Sequence, residues 1–134
     1  MKSIYYLILL FLASCSYNKK LNKEVGSGKD YYYITKIKTI GNWYVIYATK
    51  GDSTYKIVSK IQQNQPKSCR VRKGRYYAIE LHWILEKESP KVSNYADVAC
   101  YNYDPRTTIC IEPEKGIYKL YNTPDIKGLC YLKE

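Results

Sequence analysis

Apolar and polar residues alternate through much of this chain, and the period is two rather than 3.6. The clearest run is Tyr76–Leu85, where Tyr77, Ile79, Leu81, Trp83 and Leu85 share one face, the pattern of a strand with one buried side. Tyr31–Ile40 is rich in Tyr, Ile and Thr, with Lys36 and Lys38 alternating against Ile37. Gly41-Asn42 then breaks the run before Trp43–Ala48, which predicts a hairpin or a sharply bent strand pair. Lys50-Gly51-Asp52-Ser53 is a second turn, leading into a strand over Thr54–Ser59. Residues 61–68 read as a polar loop, and Cys69–Arg72 as a further extended stretch. After a charged loop, Glu86–Asn94, strands are predicted at Ala96–Tyr101 and Thr107–Ile111, on either side of the turn Asp104-Pro105-Arg106. Glu112, Pro113 and Glu114 suit the first turn of a short helix, Ile117, Leu120 and Tyr121 give it an i, i+3, i+4 apolar face, and Asn122 and Pro124 end it. Gly128–Leu132 is predicted to be a closing strand. Five or six short strands with one short C-terminal helix predict a mainly β fold: a small antiparallel β-barrel, OB-like, or a sandwich.

Two segments depart from this pattern. Ile4–Leu12 is an apolar run, shorter than the ~20 residues that span a hydrocarbon core. Lys2 precedes it, small residues follow it and a polar region lies beyond, so residues 1–14 read as a secretory signal peptide. Residues 16–30 are polar and charged, with Gly26-Ser27-Gly28 near their end and no apolar periodicity. They read as a flexible tether reaching ~20 Å on a random-coil estimate. This leaves 31–134 as a single β-rich domain.

The residues Leu12-Ala13-Ser14-Cys15 resemble the lipobox of bacterial lipoprotein precursors. The resemblance implies acylation of Cys15 with fatty chains such as palmitate, a lipid bilayer as partner, and a place in the cell envelope. Ser16, where Asp would favour inner-membrane retention in enterobacterial-type lipoproteins, implies the outer membrane. Lys19-Lys20 depart from the acidic pattern of Bacteroidota surface lipoproteins, which favours a domain facing the periplasm, with surface exposure the alternative. The body, ending in Gly128-Leu129-Cys130-Tyr131, is similar to small envelope lipoproteins of Bacteroidota; that likeness implies no activity.

With Cys15 set aside, Cys69, Cys100, Cys110 and Cys130 remain, an even number that predicts two disulfides in an exported chain. Three connectivities are open. A chain reversal at Pro105 would bring Cys100 opposite Cys110, since the two are equidistant from it. This favours Cys100–Cys110 with Cys69–Cys130. The spacings contain no CxxC, so no metal site is expected.

The chain carries 22 Lys+Arg against 12 Asp+Glu, a formal charge of +10, and loss of Lys2 with the leader would leave +9. The densest cluster is Lys67, Arg70, Arg72, Lys73 and Arg75, followed by Tyr76 and Tyr77. Arg70 and Arg72 share a face in an extended segment, and cations beside aromatic rings can hold polyanions. In an envelope setting that means an anionic glycan, a lipid headgroup or an acidic protein rather than nucleic acid. The ordinary alternative is a strand edge charged against aggregation. Tyrosine is unusually abundant, 17 against a single Phe. Tyr31, Tyr32, Tyr33, Trp43 and Tyr44 could form a stacking platform, or Tyr could simply serve as a strand former.

Catalytic patterns are sparse. His82 is the only histidine, there is no HExxH, GxSxG or Walker A sequence, and neither catalytic residues nor cofactors are expected. Glu80 and His82 would share a strand face opposite the apolar one, where solvent exposure is the simple expectation. Glu86, Glu88, Asp97 and Asp104 are the carboxylates from which a glycosidase-type pair could be drawn. The sequence therefore points to a non-catalytic binding or structural lipoprotein. The alternative is an inhibitor or immunity-type lipoprotein binding an acidic effector or hydrolase, since small disulfide-bonded envelope β-barrels include lysozyme inhibitors. Attraction between two basic proteins is poor, so an acidic target fits better.

Overall fold

The structure, a computed structural model, describes residues 28–84 and 100–133. The leader, the lipobox, most of the expected tether and the loop Glu86–Asn94 lie outside these residues. In chain order the strands are β1 (Asp30–Ile40), β2 (Trp43–Lys50), β3 (Ser53–Lys60), β4 (Tyr76–Ile79), β5 (His82–Trp83), β6 (Cys100–Asp104), β7 (Thr107–Cys110), β8 (Leu120–Asn122), β9 (Ile126–Lys127) and β10 (Cys130–Tyr131). Strands β1–β2–β3 form an antiparallel meander; β4 adds antiparallel to β1, β8 adds parallel to β3, and β5 adds antiparallel to β8. The six-stranded order is β4-β1-β2-β3-β8-β5. Its two edge strands, β4 and β5, are successive pieces of one segment separated only by Glu80 and Leu81, and the sheet curls into a half-barrel. Two hairpins, β6–β7 and β9–β10, pack on it.

Alternation explains which side is buried. In β2, Ile46 and Ala48 join Ile34, Ile57, Ile79 and Val71 in one core, while Val45 and Tyr47 face the opposite way into a second core with Val58, Ile109, Ile117 and Leu120. The second core exists because the β6–β7 hairpin and the segment after it cover the outer face of β2 and β3, so Val45–Ala48 are buried without a break. The closeness of that cover is seen at the β1–β2 turn. Gly41 has φ +55°, and a Cβ there would lie 2.2 Å from Oγ1 of the buried Thr107. Gly41→Ala is expected to destabilise the protein by at least the ~1–2 kcal/mol of a left-handed non-glycine residue, read as a lowered denaturant midpoint with unchanged slope.

The short C-terminal helix is not present. Pro113–Lys115 make one 3-10 turn, ended by Gly116 in the left-handed region at φ 72°. Glu112 and Ile117 then bridge across the turn, each bonding the other's backbone at 2.9 and 3.0 Å. Leu120 and Tyr121 are drawn into the sheet beside Lys56 and Ile57, which gives their backbones a partner that an isolated helical turn would lack. The expected closing strand Gly128–Leu132 is extended at Cys130–Tyr131, β10, which forms a hairpin with β9 through a turn at Gly128. Lys29 and Asp30, expected to belong to the tether, are part of the folded domain. Asp30 begins β1, and Lys29 lies in the structure with its Nζ 2.8 Å from the buried carboxylate of Asp125.

A buried ionic cluster fastens the hairpin to the half-barrel. Lys56, on β3, is 3% exposed. Its Nζ donates to the carbonyl of Cys110 and to Glu112 Oε1, both at 2.6 Å. Tyr47 Oη donates to the same oxygen at 2.5 Å, and Lys115 donates to Oε2. Burial raises the Glu112 pKa, but the hydrogen bonds from Lys115, Lys56 and Tyr47 outweigh it and hold the carboxyl down at about 2. Burial and the same carboxylate push the Tyr47 phenol well above its ordinary range.

Candidate functional site

The basic segment is placed by its own alternation. Val71 is 2% exposed and points into the core, so Arg70 and Arg72 on either side point outward. The Val71 N–H donates to the Leu129 carbonyl at 2.7 Å, Arg70 bridges Cys130, and Cys69 is joined to Cys130 by a disulfide. At its other end, Gly74 N–H donates to the Ile34 carbonyl and Ile34 N–H to the Arg75 carbonyl, at 2.8 and 2.9 Å. Gln65 holds the β9–β10 turn: its Oε1 accepts from Leu129 N–H at 3.0 Å, and its Nε2 donates to the Lys127 carbonyl.

These ties form a cleft of about 490 Å³ between the segment and the end of β10, lined by Arg70, Arg72, Arg75, Lys133, Tyr77 and Tyr131 together with Cys69. The two rings meet edge to face, centroids 5.0 Å apart. Both hydroxyls are engaged. Tyr77 Oη accepts from the Arg72 backbone N–H at 2.8 Å, and Tyr131 Oη donates to the Ala78 carbonyl at 2.9 Å. The rings are thereby fixed, with their carbon surfaces available. Among the described residues, no carboxylate pairs with any of the four cations.

Of the seven residues singled out from the sequence, Arg70, Arg72, Arg75 and Tyr77 meet here. Lys67 lines an adjoining hollow of about 140 Å³ with Arg70, Tyr44 and Gln65. Lys73 and Tyr76 turn away: Lys73 is exposed before the Gly74 turn, and Tyr76 is 69% exposed against Tyr33, at a centroid distance of 5.0 Å. Tyr131 and Lys133 complete the cleft and were missed. The available signal was the favoured Cys69–Cys130 pairing, which carries the chain after Cys130 to the basic segment. The other pair, Cys100–Cys110, joins facing positions of β6 and β7.

The proposed aromatic platform does not form. Tyr32 is buried and its phenol is pushed up to about 12 by burial and by Tyr55, Asp30 and Tyr121. Trp43 lies at the far end of β1–β2, where its Nε1–H donates to Asp104 Oδ2 at 2.8 Å and its ring meets Tyr103. The Arg106 N–H and Trp43 together hold the Asp104 carboxyl below the usual range, so its oxygens brace the β6–β7 turn. Glu86, Glu88 and Asp97 lie outside the described residues. Glu80 and His82 do meet, Oε1 to Nε2 at 2.8 Å, with both side chains well exposed. That is a solvated pair, and Glu80 N–H is tied to Asp125 at 2.7 Å. Among the described residues no cluster of His, Cys, Asp and Glu could hold a metal ion, and no helix is long and apolar enough to cross a membrane. No family model matches the chain, and neither curated proteins nor solved structures give a match.

Proposed function

We propose that this protein is an envelope lipoprotein, anchored in the bilayer through acylated Cys15, whose non-catalytic barrel binds an anionic ligand in the cleft between Arg70 and Lys133. The observation that carries the binding site is the cleft itself: three arginines and a lysine line it beside two fixed aromatic rings, without a carboxylate partner among the described residues. Clustered like charges cost free energy, and an anion relieves it. Arginine adds planar forks that match oxyanions bidentately. The anchor rests on the lipobox residues Leu12-Ala13-Ser14-Cys15.

Binding is tested with the full chain in neutral detergent against immobilised polyanions. Salt-dependent retention is expected, at least about tenfold weaker for Arg70→Ala/Arg72→Ala, given ~1.5–3 kcal/mol for a charge-assisted hydrogen bond. Retention that ignores both salt and the double substitution refutes the site. Mass spectrometry of the membrane fraction checks the anchor: a mature N-terminus lacking acyl groups on Cys15 removes it. An inhibitor or immunity-type role is favoured by one feature, the exposed Tyr76 next to Arg75, since Tyr and Arg are enriched at protein interfaces. A single stoichiometric acidic protein captured from envelope extracts, and lost with the double substitution, would support it.

A further inference from the structure

We infer that the cleft takes a phosphorylated saccharide, its phosphate held among Arg70, Arg72, Arg75 and Lys133 and its sugar ring laid against Tyr77 and Tyr131. This inference rests on the reading of the cleft as an anion site and adds the chemistry of the ligand. Charge comes first. Four cations line one cleft, whereas a carboxylate or a sulfate ester brings a single negative charge. A phosphomonoester brings about −1.5 to −2 at neutral pH and three strong acceptor oxygens. It can engage several guanidinium forks at once, each with five N–H donors.

Size and wall chemistry give the second half. The volume of about 490 Å³ is far more than one oxyanion fills, and it lies within the range of small-molecule sites. One side is largely aromatic carbon: the Tyr131 hydroxyl donates to the Ala78 carbonyl and the Tyr77 oxygen accepts from the Arg72 N–H, which leaves ring surface and the Tyr77 O–H proton for a ligand. A ligand matched to this wall has a weakly polar face a few atoms from its phosphate, as the C–H face of a pyranose does. The rings cross at 69°, which leaves no parallel slot to sandwich a flat nucleobase. The walls belong to segments joined by Cys69–Cys130, so little ordering is needed on binding.

The test is calorimetric titration of the full chain in neutral detergent with N-acetylglucosamine 1-phosphate, N-acetylglucosamine, inorganic phosphate and adenosine monophosphate. The phosphosugar is expected to bind at least about tenfold more tightly than inorganic phosphate, with no heat from the neutral sugar. Tyr131→Ala should bring phosphosugar affinity down to that of inorganic phosphate and leave the latter unchanged, while Arg72→Ala should weaken both. The wild-type comparison stands on its own if Tyr131→Ala fails to fold. Equal affinity for phosphosugar and phosphate overturns the saccharide and leaves the anion site standing; tighter binding of the nucleotide also overturns it. No binding of any phosphate species, together with no polyanion retention, removes both readings. A phosphorylated glucosamine lipid, mixed into the same micelles and compared with phosphatidylglycerol, identifies the source. Preference for it over the soluble phosphosugar supports a membrane glycolipid, and equal affinity supports a soluble or polymeric phosphosaccharide.

Discussion

Glu112→Ala is expected to lower stability by about 3–5 kcal/mol, the range for removing one partner of a buried ion pair. The loss arises at Lys56, whose side chain is 4% exposed and whose ammonium would keep only the Cys110 carbonyl and the face of Tyr47, 5.5 Å away. Tyr47 would lose its acceptor as well. Lys56→Met should cost much less than Glu112→Ala, because Glu112 is more exposed and retains Lys115. A Lys56→Met/Glu112→Ala double variant should recover most of the loss, giving a large coupling energy in a double-mutant cycle with the two single variants. Acid sensitivity supplies an independent reading. The carboxyl is held at about 2, below its ordinary 4.5, so between these values the unfolded chain binds more protons than the folded one. Its contribution is therefore complete above about pH 4.5 and disappears as pH falls towards 2. Denaturation between pH 2 and 6 should show this slope in the wild type and a shallower one in Glu112→Ala. Identical slopes would show that the carboxylate does not hold the hairpin in this way.

Cys69→Ser/Cys130→Ser is expected to cost about 4 kcal/mol and also to abolish anion binding. The first number follows from the loop the bridge closes: a sequence separation of 61 corresponds to about 4 kcal/mol of denatured-state entropy. The second follows from placement, because Arg70, Arg72 and Arg75 stand on one side of this bridge and Tyr131 and Lys133 on the other. Cys100→Ser/Cys110→Ser is the matched control. Its separation of 10 corresponds to about 3 kcal/mol, a similar loss, but it lies in the β6–β7 hairpin and should leave the ligand affinity intact. Urea midpoints and phosphate titrations on the two variants check both statements. If the Cys69/Cys130 variant keeps full affinity while folded, the remaining bonds, Val71 to Leu129 and Gln65 to the β9–β10 turn, are what hold the cleft.

The meander was legible because its signals are local. Gly41-Asn42 and Gly51-Asp52 mark turns, and apolar residues alternate between them, so the limits of β1–β3 are close to those expected. Where pairing is remote, local signals mislead. Ile117, Leu120 and Tyr121 fit a helical face as well as they fit the observed structure, in which Ile117 bridges Glu112 and Leu120 joins β3 in parallel. No pattern near residue 120 refers to residue 56. Lys56 shows the same limit from the other side: a lysine in an alternating strand reads as solvent-facing, and only the arrival of Glu112 makes its burial tolerable. At the site, alternation about Val71 made Arg70 and Arg72 legible as one face, whereas Tyr131 and Lys133 reach it through a disulfide.

Assembly of this domain has to wait for its last third. The β1–β2–β3 meander can form as soon as residue 60 is available, but β3 gains its second neighbour only with Leu120–Asn122, Lys29 finds Asp125 still later, and Cys69 its partner later again. Such high contact order makes closure slow. In the interval β3 is an open edge, able to pair with another chain. On that edge, Lys56 is a charge pointing into the unfinished core. The lysine that stabilises the finished half-barrel through Glu112 is also, before Glu112 arrives, its guard against joining the wrong strand.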